Sequence, residues 1–171
     1  EAVGTANPFM FTGALSGAGN VTFGGGGYNA SIRLAFTSDT MTSGQITLSS
    51  VNTGVARINT TASSSAVVDW VISGATGAAS TEVSGTFDFG SLGGSGNLNA
   101  YNGNSGTTLY SIGGNNHDAT YSGALSANGT GQILSITKVG TGAQTFSGVN
   151  TYTGPTTISA GTLTIGGAGQ L

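Results

Sequence analysis

The sequence predicts an all-β fold built from many short strands that repeat along the chain. Its 171 residues include 32 Gly, 26 Thr, 21 Ser and 13 Asn, a composition that favours strands and turns over helices. Apolar residues alternate with polar residues in short segments, as they do in strands with one buried face. Pairs such as Ser-Gly, Asn-Gly and Gly-Gly separate these segments and supply residues that accept the positive φ values of tight turns.

Each alternating segment predicts one short strand. The most apolar segment, residues 66–72, is interrupted by Asp69 and is far shorter than the ~20 residues of a membrane-spanning helix, so it too predicts a strand. In chain order, the predicted strands are residues 7–11, 20–23, 31–36, 45–51, 55–59, 66–72, 82–89, 97–101, 107–112, 119–121, 132–139, 144–146, 156–159 and 162–165.

Internal similarity indicates that these strands belong to a repeat architecture. Residues 15–21 are similar to residues 92–98, and residues 11–16 are similar to residues 121–126. The irregular spacing of these copies fits a solenoid whose turns differ in length. Periodicity alone is equally compatible with an antiparallel β-sandwich, most easily within residues 28–86.

The C-terminal segment carries a recognisable motif. It contains Thr137-Lys-x-Gly-x-Gly, followed by Ser147-Gly-x-Asn-Thr-Tyr-Thr-Gly-x-Thr-Thr-Ile and then Ala160-Gly-Thr-Leu. This pattern resembles the autotransporter-associated β-strand repeat of secreted bacterial surface proteins, most clearly over residues 133–167. The resemblance implies a right-handed parallel β-helix forming a single domain over residues 1–171. With turns of roughly 20 to 25 residues, the chain would form about seven or eight rungs.

Charge and cysteine content exclude several classes of function. Only Arg33, Arg57 and Lys138 are basic, too few to neutralise a nucleic-acid backbone. The chain has no cysteine, so it has neither disulfides nor thiolate metal sites. No signal peptide opens the sequence, which suits either a processed chain or an internal segment. The family resemblance implies a location outside a bacterial cell or on its outer surface.

Catalytic chemistry is poorly represented. His117 is the sole histidine, and with Asp118 it could begin a Ser-His-Asp relay; the alternative is a solvated loop. Asp69 and Asp88 are about one turn apart and could hold a cation between them if their carboxylates stack. We expect the loop in the first case and no cation in the second. The sequence therefore predicts a protein that is not an enzyme and has no metal or cofactor.

Four aromatic residues fall on successive predicted strands and form a possible glycan-binding strip: Trp70, Tyr101, Tyr110 and Tyr121. A ladder of stacked rings that fixes the register of the solenoid is the favoured alternative. The strip is the basis of a weaker functional hypothesis, a carbohydrate-binding module.

The leading functional hypothesis is a structural protein whose copies stack end to end into an extracellular filament. The terminal turns of a solenoid carry unpaired strand edges. Residues 1–11 predict an extended arm with Phe9, Met10 and Phe11 at its end, and this arm would add to the last strand of a neighbour. That strand contains Thr162, Leu163, Thr164 and Ile165. Alternatively, residues 1–11 simply begin the first turn, and the chain is a stalk or adhesin segment of an autotransporter passenger.

Overall fold

The computed structural model describes residues 9–25, 32–50, 55–61, 65–74, 78–100, 105–167, 169 and 171, and these residues fold almost entirely as strands. The strands are β1 (Phe9–Gly25), β2 (Ile32–Ser50), β3 (Ala56–Ile58), β4 (Ser65–Ser73), β5 (Ala78–Thr81), β6 (Gly85–Gly94), β7 (Asn97–Ala100), β8 (Gly106–Ile112), β9 (Ala119–Tyr121), β10 (Leu125–Ala127), β11 (Gln132–Lys138), β12 (Ala143–Phe146), β13 (Thr156–Ile158) and β14 (Thr162–Ile165). The part of the chain that the structure describes contains no helix long and apolar enough to span a bilayer.

The strands stack as a parallel coil. Every described strand pair is parallel, and one continuous ladder passes from β1 through β2, β3, β5 and β7 to β10. These six stacked strands correspond to about five turns of the chain. The predicted parallel β-solenoid is therefore confirmed, and the antiparallel sandwich is wrong for the described residues. The right hand of the coil and the total of seven or eight rungs stay predictions.

The length of a turn varies because the corners differ. Ala56 pairs with Ala79 after 23 residues, Ala79 with Leu98 after 19, and Leu98 with Leu125 after 27. In the first two turns the backbone stays paired around the corners, so β1 and β2 are 17 and 19 residues long. Each of these strands therefore joins two segments that the sequence predicts as separate strands.

Inward side chains from successive turns form the core. Ile46, Trp70 and Leu92 occupy one column of stacked positions and have almost no exposed surface. A second wall contributes Phe89 and Tyr110, whose rings meet edge to face at 5.3 Å. Trp70 packs against Phe89 in the same manner at 5.4 Å. Edge-to-face contact allows large rings to fill the narrow interior between the walls.

The internal sequence repeats do not mark equivalent places in the coil. Phe11 of β1 pairs with Leu34 of β2, in the ladder that runs from β1 to β10. Tyr121 of β9 pairs with Phe146 of β12, in a different ladder of the coil. The two copies therefore share a local pattern, a glycine between two apolar residues, and are not related by a whole number of turns.

The Thr-Lys-x-Gly-x-Gly motif builds one corner of the coil. Lys138 is the last residue of β11 and is buried, and its Nζ donates hydrogen bonds to the carbonyl oxygens of Val139 and Gly140, at 2.5 and 3.0 Å. Gly140 has φ +66°, and a Cβ there would overlap the carbonyl oxygen of Gly113 in the turn before. The motif thus combines a buried cation with a glycine that lets two turns approach closely.

Candidate functional site

Four polar side chains from successive turns occupy stacked positions in the sheet. They stand next in sequence to the buried column that contains Trp70, and they form a ladder. Asn20 pairs with Gln45, Gln45 with Asp69, and Asp69 with Ser91. We call these four residues the polar ladder. Strand stacking spaces them at about 4.8 Å. Asn20 is exposed, Gln45 and Asp69 are half-buried, and Ser91 is buried.

The loop of residues 113–118 covers the Ser91 end of the ladder. Asn115 Nδ2 donates to Asp69 Oδ1 at 2.7 Å, and His117 Nδ1 lies 3.0 Å from the same oxygen. On the other side of the loop, Asn116 Oδ1 accepts from the backbone N–H of Thr141 at 2.8 Å. The loop therefore binds an earlier turn of the coil through Asp69 and the following turn through Thr141. Its exposed surface fits the expected solvated loop, but its side chains are held in place.

Asn116 and Gly114 show how closely this loop is fitted. Asn116 adopts φ +64°, which is uncommon for a residue other than glycine. A Cβ on Gly114 would lie 2.6 Å from the carbonyl oxygen of Ala66, closer than real Cβ atoms approach. Such local strain is held by surrounding contacts and often accompanies a functional position.

Because residues 113–118 form a loop, they do not continue the sheet beside Leu92. The buried side chain of Gln144 replaces the missing strand at that point. Gln144 lies two turns beyond Leu92, yet its Nε2 donates to the Leu92 carbonyl at 2.8 Å and its Oε1 accepts from the Leu92 N–H at 3.2 Å. The carboxamide thus makes the two hydrogen bonds that a neighbouring strand would make.

The His117–Asp118 relay, which was considered beside the expected solvated loop, does not form in the structure. His117 contacts Asp69, while Asp118 Oδ1 accepts from the backbone N–H of Ala143 at 2.7 Å. Ser91 donates to Asp69 Oδ1 at 2.6 Å, so the serine and the histidine both bind the aspartate and do not bind each other. A nucleophilic serine must hydrogen-bond the histidine that accepts its proton. The cluster therefore lacks the order of groups that a catalytic triad requires.

The carboxylate pair considered for a cation does not stack. Asp69 is in register with Ser91, and Asp88 is in register with Ser111 on a different wall. Within the described ranges, no group of three or more His, Asp or Glu side chains is placed to hold a metal ion.

Beside the polar ladder lies an open groove of about 560 Å³, which we call the Asp69 groove. It is lined by Asn20, Thr42, Ser43, Gly44, Gln45, Val67, Asp69, Asn115 and His117. Its side chains carry amide, hydroxyl, carboxylate and imidazole groups, and Val67 contributes to the apolar part of its surface. The groove can therefore both donate and accept hydrogen bonds along its length.

Asp69 is the electrostatic centre of the groove. Burial alone would raise the pKa of its carboxyl group, but hydrogen bonds from Ser91, Asn115 and His117, with the charge of His117, outweigh burial and hold the pKa below the ordinary 3.8. Asp69 is therefore a carboxylate at neutral pH.

The aromatic strip proves to be the core ladder. Trp70, Tyr110 and Tyr121 have no exposed surface, and Tyr101 lies outside the described residues. The Tyr110 hydroxyl is 3.1 Å from Thr81 Oγ1, and Trp70 Nε1 donates to the Ser65 carbonyl at 3.2 Å. Because these rings are enclosed and their polar atoms are paired, Trp70, Tyr110 and Tyr121 offer a glycan no surface to contact. For these three residues the structure agrees with the favoured alternative, a ladder of stacked rings, and the weaker glycan-contact hypothesis is corrected.

The residues predicted for self-association lie at the two ends of the described stack. Phe9, Met10 and Phe11 belong to β1 and pair with Ile32, Arg33 and Leu34, so they begin the first described turn, which is the alternative considered for this segment. Residues 1–8 lie outside the described range. Thr162, Leu163, Thr164 and Ile165 form β14, which pairs with β12 alone among the described strands.

The residues of the groove were mostly absent from the sequence-based candidates. Asn20, Gln45 and Ser91 were not among the candidate site residues, and Asp69 was considered only with Asp88, as a cation pair that we expected not to form. A signal was nevertheless present, because Asn20, Gln45 and Asp69 each stand directly before an apolar-x-apolar triplet, at spacings of about one turn. No sequence pattern indicates that Asn115 binds Asp69, because this contact forms only when the loop folds back over two turns.

Comparisons with known proteins agree with this geometry. Residues 136–165 match the family model described as passenger-associated-transport-repeat. The resemblance to an autotransporter passenger repeat is therefore confirmed over this segment, which contains the Lys138 corner and strands β12 to β14. The match and the solenoid fit a passenger-like segment of a secreted or surface-exposed bacterial protein, in a structural or adhesin role. No curated protein and no solved structure matched significantly.

Proposed function

We propose that this chain is a non-catalytic structural segment of a bacterial surface protein, a right-handed β-solenoid stalk of about seven or eight rungs in an autotransporter-type passenger. The observation that carries the proposal is the continuous parallel ladder from β1 to β10, with the passenger repeat stacked beyond it. A solenoid of this kind extends by adding turns, because each turn contacts only its neighbours. The function of this segment would then be to extend the passenger along its axis.

Two features of the sequence suit transport to the cell surface. The chain lacks cysteine, so no disulfide can form before it crosses the outer membrane. Residues 136–165 match the passenger-associated-transport-repeat model, so this segment has a sequence pattern found in transported passengers and not only a generic fold.

Surface display tests this proposal. The chain would be placed between a signal peptide and an autotransporter translocator, with an epitope tag at its N-terminal end. Antibody should label intact cells, and the displayed chain should resist trypsin because Arg57 and Lys138 lie in paired strands. An Ile136→Asp control, which places a charge in the core, should be cleaved. Absence of labelling with a well-folded purified chain would contradict the proposal.

End-to-end association of copies is the second candidate, and the ends of the described stack favour it. Phe11, Ile158 and Ile165 continue the inward columns of Leu34, Lys138 and Phe146. They are nevertheless 43%, 55% and 38% exposed, because no described turn covers them. A second copy, stacking its β1 edge against β13 and β14, would cover both sets. Such a contact repeats without closing and yields a filament.

Electron microscopy and sedimentation of the purified chain test the association. The wild-type chain should form filaments, and Ile165→Lys should give short rods, because a charge would be buried at the junction. Ile133→Lys is the matched control: Ile133 is 42% exposed but lies on a side wall, paired with Thr107. Dispersed rods in all three samples at high protein concentration would refute end-to-end stacking.

A further inference from the structure

We infer that the Asp69 groove binds a neutral β-linked oligosaccharide, which lies along the polar ladder. The inference does not depend on the stalk function, because it uses the side of the solenoid and not its ends. It also differs from the aromatic strip, since Trp70, Tyr110 and Tyr121 are not among the residues that line the groove.

The shape of the groove indicates an extended ligand. Asn20, Gln45 and Asp69 repeat in register up the wall, so equivalent polar groups recur at about 4.8 Å. This spacing is close to the length of one sugar unit in an extended β-linked chain. Three successive units could each meet one rung of the ladder, with the loop of residues 113–118 closing the far end.

Several polar atoms in the groove lack a partner among the described residues. Three donors bind Asp69 Oδ1, and none binds Oδ2. Gln45 accepts a long hydrogen bond from Thr47 through Oε1, which leaves its Nε2 unpaired, and Asn20 and Ser43 have no side-chain partner. Vicinal hydroxyl groups of a sugar both donate and accept, so they match this mixture of carboxylate and carboxamide groups.

The charge of the groove favours a neutral ligand. Among the described residues, its lining contains one carboxylate and no lysine or arginine. The one cationic group there, His117, already contacts Asp69 Oδ1, so an acidic polysaccharide would place its own carboxylates against Asp69 without a further cation, which costs binding energy. A neutral chain avoids this repulsion and still uses Asp69 Oδ2 as an acceptor.

The groove is also prepared for binding before a ligand arrives. Asp69 is held by hydrogen bonds from two directions, Ser91 in the next turn and the loop residues Asn115 and His117. A carboxylate fixed in this way loses little conformational entropy when a sugar binds. Val67, two residues before Asp69 in β4, is 45% exposed and provides an apolar surface for the C–H groups of a sugar ring.

Isothermal titration calorimetry with cellotetraose, a neutral β-linked tetrasaccharide, tests the inference. The wild-type chain should bind it saturably, and Asn20→Ala/Gln45→Ala should bind roughly tenfold more weakly, the loss expected for two hydrogen bonds. Both side chains lie on the outer surface, so the double variant should keep the wild-type circular dichroism spectrum. Asn128→Ala is the matched control, because Asn128 is exposed and lies outside the groove; its affinity should equal that of the wild type.

Tetraglucuronate joined by β-1,4 bonds serves as the charged probe with the same linkage and number of units. It should bind more weakly than cellotetraose. Absence of cellotetraose binding by the wild-type chain, or equal binding by the folded double variant, would overturn the groove as the site. Tighter binding of the tetraglucuronate than of cellotetraose would overturn the neutral ligand class.

Discussion

Lys138 shows how a single residue of the repeat motif supports a corner. Its side chain follows Leu134 and Ile136 along the inward face of β11, where an apolar residue would be the usual choice. Burial lowers the pKa of its ammonium group, and the charge of Asp118 opposes that shift. The ammonium group is retained at this position because the turn carbonyls of Val139 and Gly140 need donors inside the coil.

Replacing Lys138 tests that explanation. Lys138→Met keeps a long flexible side chain but leaves both carbonyl groups without their donor. We expect the free energy of unfolding to fall by about 1–3 kcal/mol, the usual cost of leaving buried polar groups unpaired. Urea denaturation followed by circular dichroism measures the change. Equal or greater stability of the variant would mean that desolvation of the ammonium group outweighs its hydrogen bonds.

Asp69 gives the groove a defined pH dependence. Because its pKa is lower in the folded chain than the ordinary 3.8, its contribution to stability is fully present above pH 3.8. The contribution is lost as the pH falls from 3.8 through the lower pKa of the folded state. The difference in free energy of unfolding between wild type and Asp69→Asn should therefore shrink across this acidic range. A difference that stays constant down to the lowest pH at which the chain folds would contradict the assigned hydrogen bonds.

At the scale of the strands, the loop of residues 113–118 and Gln144 act together. The loop removes one strand segment from beside β6, and Gln144 replaces its hydrogen bonds to Leu92. The side-chain carboxamide of Gln144 thus takes the place of a backbone peptide group in the hydrogen bonding of the sheet.

Two buried glutamines allow a matched comparison. Gln144→Leu should lower the free energy of unfolding by about 1–3 kcal/mol, since the N–H and C=O of Leu92 are left unpaired. Gln132 is also buried, but it donates only to Thr108 Oγ1, and its own Oε1 has no partner. Gln132→Leu should therefore be much less costly. Equal losses in urea denaturation would show that volume matters at these positions and hydrogen bonding does not.

Strand segments with alternating β-branched residues were predictable from sequence, and two strands were not. Segments such as β8 and β11 carry Thr, Ile and Leu at period two, which is the pattern of a wall with one buried face. Strands β5 and β10 consist mainly of Ala, Ser and Thr and have no strong alternation. They are strands because neighbouring turns supply partners, a tertiary effect that local propensity does not contain.

The groove was less predictable than the strands for a similar reason. His117 and Asp69 are separated by 48 residues, and their contact depends on a loop that folds back over two turns. The sequence brought together only the adjacent pair, His117 and Asp118, and favoured a solvated loop for both. Neighbouring residues in an extended segment point apart, so Asp118 instead binds the next turn through Ala143.

At the scale of the whole molecule, the central claim is a parallel stack in which successive turns add length along one axis. One outward-facing column records this stack through five consecutive pairings. It passes through these residues in order: Met10, Arg33, Arg57, Ser80, Asn99 and Ser126. Arg33 and Arg57 are in register there, and Glu82 forms ion pairs with both, which relieves the repulsion between the two cations.

The spacing along this column is the most direct test of the account. The chain has no cysteine, so spin labels can be attached at introduced cysteines without interference. Double electron–electron resonance spectroscopy on the spin-labelled Met10→Cys/Ser126→Cys variant should give a backbone separation of about 24 Å, which is five strand spacings. The Met10→Cys/Asn99→Cys variant should give about 19 Å, which is four strand spacings. Distances that do not differ by one strand spacing, or that exceed these values beyond the reach of the labels, would contradict the parallel solenoid.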